Sequence, residues 1–312
     1  MKKTFKTLKE QIEILESRGL TINDYEKAED VLFKENYFFI NGYRHLLMKN
    51  GSNNQFVEGA TFDELYSIFL FDRSLRNIMF KNILIIENNI KSIISYTLSK
   101  KYGYKEHDYL NPKHFKQEHF RLSQVNDILN KMKRQIRLNS KQHRATKHYI
   151  ANYGYIPMWV SVKVLSFGII AELYSILKLE DQQEIADYYK LSVVDLDVYL
   201  SLLSNYRNLC AHEDILYDNH TQRSIPNNKY HILLNIPKNE DEYIYGKNDF
   251  FAVVMIMRYL LSEREFKSLI NEISYEIDIL DGKIDSVDTK HILNKIGFPD
   301  NWRDLSILWK KI

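Results

Sequence analysis

The chain has 312 residues, 45% apolar and 27% charged, with a formal net charge of +2; that balance excludes a disordered or fibrous polymer. Ten glycines and five prolines fall well below average usage, which excludes a turn-rich all-β protein and favours long helices. The single cysteine, Cys210, excludes an intramolecular disulfide and a cysteine-based zinc finger, and it fits a reducing, cytoplasmic compartment.

The chain opens on MKKTFKTLKEQIEILE, basic but without an apolar stretch, so no signal peptide is expected. Helical patterns run over 4–18, 23–49 and 61–102, the last being the longest. Within it Leu75, Met79, Ile83, Ile86, Ile90, Ile93 and Ile94 recur at helical spacing. Asp72, Arg76 and Glu87 fall on or near the same stripe. Charges there are costly unless paired, so they either form a satisfied pair, Asp72 and Arg76 being one turn apart, or line a site. The next segment, 101–148, reads as a basic, insertion-like block. It holds twelve Lys and Arg against four acids, and five of the ten histidines. A helix expected over 120–149 carries Lys131, Lys133, Arg134 and Arg137. Such a block suits a polyanionic partner, or else a solvated helix face.

Helices follow over 158–179, 182–190 and 192–214. Residues 215–247 read as Asn- and Pro-containing loops, with a short strand or hairpin arm at 229–236. Helices over 248–261, 263–280, 286–296 and 300–309 close the pattern, in a region where fourteen acids face ten bases from residue 239 onward. No repeat or long linker is visible, so one all-α helical unit over 1–312 is expected. The longest apolar run, Phe250 to Met257, has eight residues, against the ~20 needed to span a bilayer; no membrane partner is expected. Trp159, Phe167 and Trp302 are expected in the core, the alternative being a stacking role against the bases of a nucleic acid.

The segment 198–213, VYLSLLSNYRNLCAHE, separates by face. At about 100° per residue, Asn205, Asn208 and His212 fall within about 40° of Ser201, while Leu202, Leu203, Tyr206, Leu209 and Cys210 occupy the opposite side. Arg207 lies at the flank of the apolar face. An ideal helix therefore does not bring Arg207 and His212 together; that requires a distortion, a long reach, or a second copy. These residue types suit proton transfer, as base or as acid, beside an anionic group. Histidine performs either proton transfer near neutral pH, and arginine holds two phosphate oxygens at once. Asn208, one turn before His212, can orient the imidazole or the phosphate. A Cys210–His212 dyad is disfavoured, since positions two apart point to different sides. The cluster His212, Glu213, Asp214, Asp218 and His220 lacks metal-ligand spacing. No Gly-rich phosphate loop is present, which argues against an NTPase; no metal and no cofactor is expected.

Arg207-Asn208-Leu209-Cys210-Ala211-His212 has the R-x4-H spacing of the HEPN superfamily of helical ribonucleases. Around it stand, in order, Phe71-Asp72-x-x-Leu75-Arg76, Ile86-Glu87, Pro157-x-Trp159 and Ser166-Phe167-Gly168. Asn248-Asp249-Phe250-Phe251 and Gly297-Phe298-Pro299-x-Asn301-Trp302 follow. Together these resemble bacterial abortive-infection (Abi) proteins of the F-type branch, over residues 25–305. The resemblance implies an elongated HEPN-type bundle and a metal-independent endoribonuclease of anti-phage defence, leaving a 2′,3′-cyclic phosphate and a 5′-OH. It implies Arg207 and His212 as catalytic residues assisted by Asn208, with Asp72, Arg76 and Glu87 in support. RNA is the implied substrate, and a regulatory RNA is a further candidate partner. A homodimer is implied because HEPN sites are built from two motifs and this chain has one. Many relatives carry a basic or polar residue after the histidine; here Glu213, Asp214 and Ile215 follow, so that phosphate contact is missing. The alternative is a non-catalytic RNA-binding module, or an interaction module of a toxin-like system.

Overall fold

The computed structural model describes residues 4–49, 51 and 54–307. Among them lie fifteen α-helices and one two-stranded sheet, so the protein is an all-α bundle, as its periodicity indicates. The organising element is the helix Phe62–Tyr102, 41 residues long and about 60 Å from end to end at 1.5 Å per residue. Thr61 starts it through a capping box with Glu64: the Thr61 hydroxyl accepts from the Glu64 amide, and Glu64 Oε2 accepts from the Thr61 amide at 2.8 Å. The other Glu64 oxygen accepts from the amides of Asp285 and Ser286, both at 2.7 Å, which ties the far C-terminal region to the helix start. The helix ends at Gly103, whose φ of +96° suits glycine.

Leu65, Ile68, Leu75, Met79, Ile83, Ile86, Ile90, Ile94 and Leu98 form the buried stripe of this central helix. Against it pack chiefly Glu263–Asp281 and Val193–Ala211, with Leu179–Tyr188 and Met158–Ser161 toward its C-terminal part. Phe167–Ile176 lies across Val193–Ala211, and His119–Asn139 lies on Phe167–Ile176. One cluster of buried side chains runs from Ile12 to Leu305. Each fully buried Leu, Ile or Phe in it contributes about 1.5–3 kcal/mol.

Several expected helices are divided, each by an identifiable residue. The pattern over 23–49 becomes Tyr25–Glu35, Tyr37–Gly42 and a 3₁₀ turn Arg44–Leu47. Asn36 makes the break: at φ +69° its amide closes the first helix on Leu32 O, while its side chain caps the second at Phe38 N. The pattern over 120–149 divides into His119–Asn139 and Arg144–Tyr153, where the Thr146 hydroxyl bonds the carbonyls of Asn139 and His143. That over 158–179 divides into Met158–Ser161 and Phe167–Ile176, the second capped by Ser166. At 229–236 the expected strand is instead the helix Lys229–Leu233; Asn228 caps Tyr230 N and donates its own amide to His231 Nδ1, and this favours a turn of helix. The short hairpin comes later, pairing Lys238–Asn239 with Glu242–Tyr243. Of the last expected helix, Trp302–Ser306 forms a 3₁₀ turn, and 308–309 lie outside the described residues.

The C-terminal motifs meet in space. Phe298 packs against Phe250, Phe251 and Trp302 with ring centroids 5.0–5.4 Å apart. Gly297 stands at φ +100°, where an added Cβ would lie 2.8 Å from Asp249 Cγ; both the conformation and the close approach require glycine. Asp249 caps Phe250–Leu260 at Ala252 N and also accepts from Gly246 N. Of the three expected core aromatics, Phe167 and Trp302 are buried, whereas Trp159 is 47% exposed. The four-residue helix that carries Trp159 turns Met158 and Val160 inward, leaving the indole outside.

Candidate functional site

Ser192 caps the helix Val193–Ala211 by accepting from Asp195 N at 3.0 Å. The apolar side, with Leu196, Tyr199, Leu200, Leu202, Leu203, Tyr206, Leu209 and Cys210, is buried. Asn205, Asn208 and His212 are exposed and Ser201 half-buried, so the polar row faces outward. It floors a groove. A cavity of about 660 Å³ is lined by Ser201, Asn205, Asn208 and His212, with His220 and Arg223 among its walls. A second, of about 680 Å³, shares Ser201, Asn205, Asn208 and Arg223 and continues toward Lys116, Arg121 and Glu172.

The helix stops at His212 in a defined way. The His212 amide bonds Asn208 O at 3.0 Å and the Asp214 amide reaches back to Leu209 O at 3.2 Å. Between them Glu213 takes φ +56°, the left-handed position usually filled by glycine. This turn throws residues 214–217 back against the central helix, where a buried polar cluster receives them.

Asp72 and Arg76, both about 2% exposed, form a direct ion pair. Asp72 Oδ2 also accepts from the Tyr43 hydroxyl at 2.7 Å and from the Leu216 amide at 3.2 Å, and Oδ1 accepts from the Tyr217 amide at 3.0 Å. Arg76 donates further to the Tyr43 oxygen at 3.0 Å and to the Asp214 carbonyl at 3.4 Å. The Tyr217 hydroxyl donates to Gly42 O at 3.0 Å, and an added Cβ on Gly42 would meet Ile215 Cδ1 at 2.5 Å. Burial raises the Asp72 carboxyl above the usual range, opposed by Arg76, Tyr43 and the two amides. Burial likewise raises the Tyr43 hydroxyl. Outside this cluster Arg73 bonds both Glu35 oxygens, at 3.0 and 2.6 Å, and lies 3.7 Å from Glu213.

Arg207 does not enter the groove. Its Nε lies 3.4 Å from Glu87 Oε2 and its guanidinium 5.5 Å from the Phe80 ring, on the central-helix side. Glu87 Oε1 accepts from Lys91 Nζ at 2.6 Å within the buried stripe. The structure thus brings His212 and Asn208 together, brings Arg207 to Glu87, and keeps the two sets on different sides of one helix. Asp72 and Arg76 support the loop that follows His212 without lining the groove. On His119–Asn139, Lys131 is engaged by Asp127 and Glu172, whereas Lys133, Arg134 and Arg137 are exposed without an acidic partner within 4 Å among the described residues.

Three further participants differ in how far the sequence reveals them. Lys91 was legible, one turn beyond Glu87 on the same stripe. Tyr43 was not, because nothing local pairs it with Asp72, 29 residues away. His220 drew notice only as a possible metal ligand, whereas it shares the groove with His212 and contacts Asn248 Oδ1 at 3.4 Å. Burial pushes the Cys210 thiol up to about 12, so it is not a nucleophile near neutral pH. Among the described residues no three His, Cys, Asp or Glu side chains are grouped to hold a metal ion, and no helix is long and apolar enough to cross a membrane.

A family model described as Abi-like protein matches residues 30–218, more than half of the chain. The chain belongs to the Abi-like protein family. The Abi-like region starts within Tyr25–Glu35 and ends just beyond the loop held by Asp72 and Arg76, so it takes in the cluster, the central helix and the R-x4-H helix. No curated protein and no solved structure matches. Membership points to abortive-infection defence.

Asp72→Ala in the Abi-like chain leaves the Arg76 charge buried and two loop amides unpaired. It should cost about 3–5 kcal/mol, against roughly 1.5–3 kcal/mol for Tyr43→Phe, which removes a hydroxyl bonded to the ion pair and leaves both charges in place. Urea unfolding of the two variants checks the order and size of these losses.

Proposed function

We propose that this Abi-like protein is a metal-independent endoribonuclease of anti-phage abortive infection, cleaving RNA by attack of the 2′-OH on the adjacent phosphate. One observation carries the reading: His212 and the amides of Asn205 and Asn208 face an open groove from one side of a helix, while the Arg207 charge emerges from the same last turns. Such a groove admits a single strand. His212 serves as base or acid, Asn208 orients imidazole or phosphate, and Arg207 neutralises the pentacoordinate transition state. Glu87 positions Arg207, and Asp72 with Arg76 positions His212 through the loop.

In-line cleavage needs an acid and a base on opposite sides of the phosphate, and one R-x4-H motif supplies a single histidine. A two-fold dimer in which the polar rows face each other supplies the second His212, because a C2 contact presents identical patches to each other; Arg207, turned toward Glu87 in each copy, swings around its helix to reach the phosphate. His220 supports a second arrangement within one chain, since it lines the groove beside His212. The exposed Lys133, Arg134 and Arg137 add a basic face for the RNA backbone.

Arg207→Ala and His212→Ala should each lower cleavage of total RNA by about 10²–10⁴-fold with unchanged thermal melts, and EDTA should have no effect. Mixing His212→Ala chains with wild type should depress activity beyond simple dilution if the dimer supplies both histidines. Dilution alone, with loss in His220→Ala, selects the single-chain pair. RNA that is bound but left intact by the wild type favours the non-catalytic binding or toxin-system module instead.

Charge reversal at Lys133, Arg134 and Arg137 should weaken RNA binding and flatten its salt dependence by ~0.7 in the log–log slope for each lost single-strand phosphate contact. Reversal at Lys131, already neutralised by two acids, should change the slope less. Fluorescence anisotropy over a salt series reads both.

A further inference from the structure

Beyond the C-terminal end of the central helix, a chain of aromatic rings stands at the surface. Trp159 and Tyr104 have ring centroids 5.3 Å apart, Tyr104 and Tyr155 5.8 Å, Tyr155 and Tyr153 6.4 Å, and Tyr153 and Tyr149 5.3 Å. Trp159, Tyr153 and Tyr104 are 47%, 57% and 39% exposed. None of these rings lines the His212 groove. Glu87, beside Arg207, precedes the end of the helix at Tyr102 by fifteen residues, which is about 22 Å along the axis.

The scaffold beneath the rings is fixed. The Met158 amide bonds Tyr104 O at 3.0 Å, the Ile156 amide bonds Glu106 Oε1 at 2.7 Å, and the Tyr109 hydroxyl bonds Ile156 O at 3.1 Å. Ile156, Pro157 and Met158 are buried under the surface rings. The rings are therefore held in place without being covered, and a contiguous exposed patch of this kind marks a binding surface.

Charge decides what fits there. Lys105 Nζ sits 5.0 Å above the Tyr155 ring. From residue 128 to residue 171 the sequence contains eight Lys and Arg and not one Asp or Glu, and the helix that bears Tyr149 and Tyr153 exposes Arg144 and Lys147. Flat π faces beside cations, with the nearby Glu106 and Asp108 engaged by the amides of Ile156 and Lys105, match a polymer of bases on an anionic backbone. They do not match an acidic peptide, which offers charge without rings to stack.

From this we infer that the Tyr104–Trp159–Tyr155–Tyr153 surface is a stacking platform for the unpaired bases of a single-stranded nucleic acid, separate from the R-x4-H groove. Each base lies on a ring while Lys105, Arg144 and Lys147 meet the backbone; the contact is tolerant of sequence, because every base has a π face. The platform goes beyond the cleavage reading and stands whether or not the groove cuts RNA.

A labelled twelve-residue oligothymidylate tests it, since it lacks the 2′-OH and cannot be cut by the proposed chemistry. Anisotropy titrations of the full chain should show single-strand binding tighter than that of a duplex of equal length. Trp159→Ala and Tyr104→Ala should each weaken it roughly tenfold or more, with unchanged thermal melts. Trp159→Phe should keep most of the affinity but abolish the quenching of indole fluorescence on binding. Equal affinity for duplex, or unchanged binding in both alanine variants, overturns the proposal. So does an alanine-sensitive affinity for phosphatidylserine vesicles in place of the oligonucleotide, which would make the patch a membrane-contacting surface.

Discussion

Arg76 carries a guanidinium into the apolar stripe of the longest helix, and the Asp72 carboxylate one turn earlier makes that tolerable. The pair does more than neutralise itself. It also bonds Tyr43 and the backbone of residues 214–217, although Arg76 Nε is buried without a hydrogen-bond partner. A buried ion pair of this kind adds little net stability over an apolar pair of the same shape. What it supplies is position, because the loop that leaves the R-x4-H helix has one place where its amides are satisfied. The left-handed turn at Glu213 and the close approach of Gly42 to Ile215 follow from that docking. His212 stands at the junction, with its backbone closing the helix and its side chain left in the groove.

The same helix divides its charges by side. Arg207 turns toward Glu87, which is itself bridged to Lys91, while the Ser201–His212 row turns outward. Among the described residues the terminal nitrogens of Arg207 carry no hydrogen bond, and its Nε lies 3.4 Å from Glu87, so the guanidinium is steered by a carboxylate and not consumed by it. On the proposed reading this division is why one chain presents half of an acid–base arrangement and why a second copy, or His220, completes it. The stacking platform would then hold unpaired strand at a distance from the groove, which would favour single-stranded segments over duplex.

Much of this was legible in the residues because it depends on local periodicity. The all-α class, the central helix with its apolar stripe, the outward row Ser201, Asn205, Asn208 and His212, and the separation of Arg207 from His212 all follow from a repeat of 3.6 residues. The Asp72–Arg76 pair was legible as an i,i+4 spacing, but its role was not, since the amides of Leu216 and Tyr217 lie 144 and 145 residues away from Asp72. Breaks in helices were missed where a capping side chain overrode periodicity, at Asn36 and near Thr146. At 229–236 the β-like composition was outweighed by Asn228 and His231, two polar residues that close a helical turn on each other. Trp159 was misplaced for a simpler reason: size and apolarity favour burial, but the face on which a four-residue helix exposes a side chain is set by its neighbours.

Metal-free 2′-OH attack in the groove of the R-x4-H helix, as proposed, is tested by end-group analysis of a defined oligoribonucleotide cut in EDTA, beside the same strand with 2′-deoxyribose on the 5′ side of the scissile phosphate. Attack by the 2′-OH leaves a 2′,3′-cyclic phosphate and a 5′-OH on the first strand and the second strand intact. Cleavage of the deoxy-substituted strand, or products bearing a 3′-OH and a 5′-phosphate, would rule that chemistry out.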